Sequence, residues 1–375
     1  MSYSTKDRGS GIPMVNMREI FAFDRISDQE CELAPLTVSE LRSSLLESGD
    51  LLFARQSLSY EGAGKCVLVL PAKGPRTWES HLIRVRLNPS LASPGYFYYY
   101  FRSPAGRRLI ETIIQQVAAA GIRGSDLGRL LVPIPTIEDQ RSIAEVLGSL
   151  DDKIEANSIL ATTADALVRA RFAALASHDK RSIGDLYDIR RESADPTALL
   201  PDAVYVGLEH IPRRNIWPND FGTAADVTSG KSSFMAGDVL FGKLRPYFHK
   251  IVSVGVSGIC STDVLVLRPK NSDLSGYALA AVASDAVVHA VTAASGGTRM
   301  PRTSWRDLAV IQIPWPGQAS AHQFSIEVRA LEKSVQTFVA ENRTLAAIRD
   351  ALLPQLMSGK LRVRDAERIL EDAGV

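Results

Sequence analysis

The chain has 3 cysteines in 375 residues, Cys31, Cys66 and Cys260, and they share no metal-ligand spacing. An odd number without a pattern excludes a disulfide framework and a zinc module, so the thiols are expected to be reduced and structural. The 6 histidines form no pairing that suits a metal, and no metal site is expected. The residues after Met1 lack the apolar segment of a signal peptide, and no later apolar run approaches a bilayer span. A cytoplasmic location is expected. Charge of one sign is also missing: 43 Lys and Arg face 42 Asp and Glu, a net charge of +1. That excludes an all-over basic coat for nucleic acid but permits binding through local clefts.

Signatures of catalysis are absent as well. No phosphate loop with Gly-Lys-Ser/Thr occurs, which excludes a P-loop translocase. Adenine methyltransferases of the amino type use an Asn- or Asp-Pro-Pro-aromatic loop. The nearest string here, Asn88-Pro89-Ser90-Leu91, lacks the second Pro and the aromatic residue and reads as a strand-ending turn. A non-catalytic chain without a cofactor of its own is expected.

What the chain does have is repetition. Leu131-Val132-Pro133-Ile134-Pro135 leads into a helix through Thr136-Ile137-Glu138-Asp139-Gln140, and Ile311-Gln312-Ile313-Pro314-Trp315-Pro316 leads into another through Ser320-Ala321-His322-Gln323. Gly49-Asp50-Leu51-Leu52-Phe53-Ala54-Arg55 is matched by Gly237-Asp238-Val239-Leu240-Phe241-Gly242-Lys243, each a turn and an apolar strand that delivers a cation. Gly121-Ile122-Arg123 is matched by Gly297-Thr298-Arg299, and Asn16-Met17-Arg18-Glu19-Ile20 more loosely by Gly207-Leu208-Glu209-His210-Ile211. The run Tyr96-Phe97-Tyr98-Tyr99-Tyr100-Phe101 invites a base-stacking interpretation, but Tyr277-Ala278-Leu279-Ala280-Ala281-Val282 at the same place in the second copy has a helical pattern. The tyrosines are therefore expected on a helix packed against a sheet, and Arg102, Arg107 and Arg108 on a solvated helix face. Trp305 and Trp315 are expected to pack between domain and helix.

The repeat predicts an α+β fold of two similar mixed α/β domains, 1–134 and 179–316, separated by two long antiparallel coiled-coil helices, 135–178 and 317–357, with a tail over 358–375. The first helix has a seam of Ile143, Leu147, Leu150 and Ile154 with Asn157 as its polar member; the second continues it with Leu331, Val335, Phe338 and the polar Asn342. Thr136 with Asp139 and Ser320 with Gln323 read as capping boxes. Each helix has a single apolar stripe and needs a partner, so the two stripes are expected to face one another. A helix of about 36 residues spans roughly 54 Å, enough to serve half-sites about 34 Å apart.

These features resemble the specificity subunit of type I restriction-modification systems over nearly the whole chain. The most specific pieces are Ile134-Pro135-Thr136-Ile137-Glu138-Asp139-Gln140-Arg141-Ser142-Ile143-Ala144, Gly237 to Pro246, Ser295-Gly296-Gly297-Thr298-Arg299-Met300, and Leu352-Leu353-Pro354-Gln355-Leu356-Met357-Ser358-Gly359-Lys360-Leu361. The resemblance implies that each domain reads one half of a split, asymmetric DNA target. It implies that the helices set the spacer and dock modification subunits, which carry S-adenosylmethionine and methylate adenine, with restriction subunits as further partners. One departure stands out: Ser182-Ile183-Gly184-Asp185-Leu186-Tyr187-Asp188-Ile189 resembles the family's domain start, and the first domain has no counterpart. The first domain is expected to be shortened, or the start codon to be set downstream.

Base edges and phosphates call for Arg and Lys, and adenine for Gln or Asn. The candidates in the first domain are Arg55, Gln56, Lys65 and Arg123. Those in the second are Lys243, Arg245, Tyr247, His249, Lys250, Arg299 and Arg302. The rival expectation is a non-catalytic two-domain scaffold for protein partners, whose binding would respond far less to salt.

Overall fold

The structure is a computed structural model and describes residues 9–116, 119–175, 177–218, 220–295, 301–372 and 374. The chain divides into two compact units, Met1–Asp152 with Leu345–Val375, and Lys153–Thr344. Both long helices contribute to both units.

In the first unit the strands are β1 (Ile12–Val15), β2 (Arg25–Ile26), β3 (Glu32–Ala34), β4 (Leu51–Ala54), β5 (Gln56–Ser57), β6 (Cys66–Val69), β7 (Thr77–Trp78), β8 (Leu82–Val85), β9 (Gln115–Gln116) and β10 (Ala120–Gly121). The helices are α1 (Met17–Ala22), α2 (Val38–Ser43), α3 (Pro94–Arg102), α4 (Pro104–Glu111), α5 (Gly124–Leu127) and the start of α6 (Ile137–Ala173). Three sheets form, in the orders β2-β6-β4-β8, β3-β1-β7 and β5-β10-β9. All of β4 is buried, so this continuous apolar run is a central strand covered on both faces. Leu52, Val67, Val69 and Ile20 meet in one core, each contributing about 1.5–3 kcal/mol by leaving water. The tyrosine-rich segment is α3, and Tyr96 to Tyr100 are all buried there.

The second unit continues with β11 (Lys180–Ser182), α7 (Ile183–Leu186), β12 (Tyr187–Arg190), β13 (Ser193–Ala194), β14 (Val204–Val206), β15 (Gly222–Thr223), β16 (Lys231–Phe234), β17 (Val239–Gly242), β18 (Ile251–Ser253), β19 (Gly258–Cys260) and β20 (Val264–Pro269). It closes with α8 (Ser275–Val282), α9 (Asp285–Ala294), α10 (Trp305–Ala309), β21 (Gln312–Pro314) and the first part of α11 (Gln318–Met357). Its sheets run β12-β20-β17-β18, β13-β16-β19-β14-β15 and β11-β21.

Strand pairing makes the repeat explicit. β4 lies antiparallel to β6 and β8 as β17 does to β18 and β20. β1 is antiparallel to β3 and parallel to β7, and β14 is antiparallel to β15 and parallel to β19. The second unit adds β12 on the edge of β20 and β11 on β21. Among the described residues of the first unit no strand lies at the corresponding places. Ile183, Leu186 and Tyr187 from this extra segment are buried in the second core.

The turn before each central strand is locked in the same way. Gly49 and Gly237 take positive φ, 91° and 87°, which a side chain disfavours. The next carboxylate accepts two bonds from an arginine at the end of the neighbouring antiparallel strand, β8 or β20: Asp50 from Arg86 at 2.7 and 2.8 Å, and Asp238 from Arg268 at 2.7 and 2.8 Å. The same carboxylates receive the backbone N–H of Glu47 and of Met235, both at 2.8 Å.

Within the first unit, α6 and α11 meet through Arg349, whose Nη1 lies 2.7 Å from the Asp151 carboxylate, and Asp151 also accepts from Tyr99 at 2.7 Å. Within the second, Asn157 donates to Asn342 at 2.9 Å and to Glu341 at 2.7 Å, and Arg171 pairs with Glu327 at 2.6 Å. In the second unit numbers rise along one helix as they fall along the other, which is antiparallel pairing. Of the seam residues, Ile143, Leu147, Leu150, Asn157 and Val335 are buried; Ile154, Leu331, Phe338 and Asn342 are partly so. Thr136 caps α6, accepting from the Asp139 N–H at 3.1 Å. Ser320 does not cap α11, a correction to the sequence reading: that helix begins at Gln318, directly after Gly317 with φ of 87°.

Candidate nucleic-acid interface

In the first domain the end of β4 runs on into β5, the edge of a three-stranded ribbon. Gln56 pairs with Gly121 on β10, and the Ile122 N–H donates to the Arg55 carbonyl at 2.9 Å. Arg55 and Gln56 therefore stand beside Arg123, brought together from segments far apart in sequence. All three side chains are exposed and make no hydrogen bond or ion pair among the described residues. Lys65 is different. Its ammonium lies 3.3 Å from Asp24, which Arg102 also engages at 2.8 Å. Burial works to raise the Asp24 pKa, but the hydrogen bond and charge of Arg102, with Lys65 behind it, hold it at about 2. Lys65 thus belongs to an ion cluster with Asp24 and Arg102, as Arg302 pairs with Asp263 in the second domain. Arg102 and Arg107 likewise tie the helices to loops, Arg107 donating to the carbonyls of Ala63 and Tyr60 at 2.8 and 2.9 Å. The expected solvated face is corrected there.

The second domain repeats the ribbon junction. The Thr303 N–H donates to the Lys243 carbonyl at 3.0 Å, Leu244 and Arg302 form an antiparallel bridge, and the Arg245 N–H donates to Pro301 at 2.8 Å. The Thr303–Lys243 bond is the counterpart of the Ile122–Arg55 bond, so Arg302 occupies the place of Gly121. Both stand 12 residues before their shared proline, Pro133 or Pro314. By this register the counterpart of Gly121 is Arg302, which corrects the match of Gly121-Ile122-Arg123 to Gly297-Thr298-Arg299. Arg299 itself lies outside the described residues.

Around this junction opens a cleft of about 720 Å³ lined by Lys243, Arg302, Arg190, Arg191, Asp263 and Trp305 among others. The Arg302 guanidinium pairs with Asp263 at 2.6 Å, and the Lys243 ammonium donates to the Thr262 carbonyl at 2.6 Å. Burial lowers the Lys243 pKa, partly offset by Asp263. Arg190 and Arg191 were not among the sequence candidates. Their signal is a pair of adjacent arginines at the end of β12, hidden because the first domain offers no counterpart to compare. The Arg190 Nε is buried without a partner among the described residues.

The loop after β17 is set by two residues with positive φ, Arg245 at 49° and His249 at 54°, flanking a single 3-10 turn. Arg245 is exposed, and Tyr247 is half-exposed with its ring on the edge of Phe248 at 4.8 Å. His249 is 2% exposed, its Nε2 2.7 Å from the Ala283 carbonyl. Burial pushes its pKa down. The Lys250 ammonium donates to the Leu208 carbonyl. His249 holds the loop and presents no free group to a base, which corrects its candidacy; Lys250 is half-buried and commits one of its three donors. Trp315 packs on Tyr277 at 5.5 Å with Arg181 over its ring at 3.8 Å. Among the described residues no three His, Cys, Asp or Glu side chains gather as a metal site, and no single helix is long and apolar enough to cross a membrane.

No protein-family model matches the chain. Over 160 residues, 41% of the chain, it is 29% identical to the type I restriction enzyme EcoKI specificity subunit of Escherichia coli K12, of which the alignment covers 34%. It is 24% identical over 168 residues, 43% of the chain, to the EcoDI specificity subunit of Escherichia coli, of which 37% is covered. The chain thus aligns with about a third of the length of these two curated relatives. With the MjaIX specificity subunit of Methanocaldococcus jannaschii the alignment covers 95% of the chain and 88% of the relative at 24% identity. Among solved structures, the type I S subunit from M. genitalium shares the fold with a TM-score of 0.52 at 15% identity, covering 93% of each chain.

Proposed function

We propose that this chain, similar in sequence and fold to the specificity subunits of type I restriction enzymes, is the non-catalytic DNA-reading subunit of such a complex. Each domain reads one half of a split target, the paired helices set the spacer, and modification subunits carrying S-adenosylmethionine dock on the chain, with restriction subunits as further partners. The observation that carries this reading is the repeated ribbon junction, at which Arg55, Gln56 and Arg123 in one domain and Lys243, Arg245 and Arg302 in the other gather at a strand end. Arginine and lysine there serve phosphates and guanine edges, glutamine serves adenine. The chemistry differs between the copies, so the half-sites differ and the target is asymmetric.

The test is a single-molecule methylation map of the source genome with this gene intact and deleted. Loss of one split, adenine-methylated motif on deletion is the expected result. An unchanged map would sink the proposal.

A further inference from the structure

We infer that Gln56 and Gln115 are the side chains with which the first domain reads adenine in its half-site, an inference that rests on the DNA-reading function proposed above. The two glutamines flank Gly121 in one row across the ribbon, Gly121 pairing with Gln56 on one side and Gln115 on the other. Residues directly opposite one another share a face of a sheet. Both amides therefore leave the same face, and both are exposed; in the adjacent row Ala120 is buried and Gln116 is exposed. Gly121 keeps the space between them open: a Cβ there would stand 3.0 Å from the Arg55 carbonyl oxygen and 3.5 Å from Gln56 Cγ.

Neither amide bonds to another described residue, so the donor and acceptor of each are uncommitted. An amide presents that donor and acceptor side by side, matching the N7 acceptor and N6 donor of adenine in the major groove. Guanine offers two acceptors there, cytosine a donor, and thymine an acceptor and a methyl group, so the two-point match belongs to adenine alone. Arg55 and Arg123, exposed beside the row, supply charge for the flanking phosphates. The main chains of Gln56 and Gln115 lie two strand spacings apart, about 9.6 Å, and base pairs rise about 3.4 Å. The two contacts therefore fall within about three base pairs of each other. At this bridge the second domain has Leu244 in the place of Gln56, opposite Arg302.

The test is the methylation map of source cells whose chromosomal copy carries Gln56→Ala or Gln115→Ala. In each variant the preference for A·T over other pairs at one position of one half-site, about 5- to 150-fold from a two-point contact, should fall toward one, with the other half-site unchanged. Gln115→Arg should move the preference at its position to G·C. Unaltered motifs, relaxation at a G·C pair, relaxation in both halves, or loss of all methylation in every variant would overturn the assignment. In each of those cases a split motif in the wild type that disappears on gene deletion leaves the DNA-reading function standing; without such a motif both readings fail.

Discussion

Asp50 and Asp238 are almost wholly buried, and each holds an arginine in a two-point fork, so removing either charge strands the other partner. Breaking such a pair costs about 3–5 kcal/mol when it is fully buried. Arg268 keeps some contact with water, so we expect about 3 kcal/mol for Asp238→Asn. Hydrogen exchange should quicken across β17 and β20 and stay unchanged in β4 and β8. His249 makes a second prediction at this scale. Burial depresses its pKa below 6.5 in the folded chain, with Arg169 and Arg214 adding to the shift and the Ala283 carbonyl and Asp285 opposing it. The unfolded chain then binds the proton that the folded chain refuses, so stability is full above about pH 6.5 and falls as pH drops below it. The melting temperature should fall more between pH 7.5 and 5.5 in the wild type than in His249→Gln. Arg55 and Gln56 could be placed from sequence because the apolar strand β4 ends where they stand, whereas Arg123 rests on a Gly-x-Arg match that the ribbon register corrects. The fates of Lys65, His249 and Lys250 could not, since Asp24, Ala283 and Leu208, which engage them, come from distant segments.

At the scale of elements, two glycines set how closely helix meets helix. A Cβ on Gly276 would lie 2.8 Å from Ser325 Cα and from Val328 Cβ, and one on Gly95 would lie 3.0 Å from Ala144 Cβ. Each pair is separated by 49 residues, the same approach in both repeats. Gly276→Ala meets backbone and should cost about 1–3 kcal/mol as overpacking, measured by denaturant titration, with Gly95→Ala costing less. The Asn157–Asn342 contact gives the converse. Asn157→Ala leaves Asn342 and Glu341 short of a partner and should lose about 1–3 kcal/mol, whereas Asn157→Leu with Asn342→Leu should be no less stable and should loosen register. The strands and α3 were legible from alternation and from comparison of the two copies. The start of α11 was not, because glycine at positive φ lets the helix begin at Gln318, two residues before the serine whose side chain fitted a capping pattern. β12 with Arg190 and Arg191, and the ribbon strand bearing Gln115, have no matching string in the other copy, so the comparison that exposed the rest passed over them.

For the whole molecule, the proposed spacer is a length, and a length can be changed. Adding one heptad to each helix at facing positions lengthens the pair by about 10.5 Å, close to three base-pair rises. The methylated motif should gain about three base pairs between its halves and keep both halves; an unchanged spacer would refute the role of the helices. The repeat was the most legible feature, since two copies of one pattern in a single chain supply their own comparison.

The buried Asp–Arg forks have a consequence for how such a chain changes over generations. Each fork fastens the root of its central strand from inside the domain, without using a side chain of the ribbon face. Substitutions among the exposed ribbon residues therefore leave the strand anchorage intact, and variants that differ only there should fold alike while answering to different sequences. Under the DNA-reading function proposed above, a lineage can then acquire a new target by point mutation at the strand ends without rebuilding the protein that carries it.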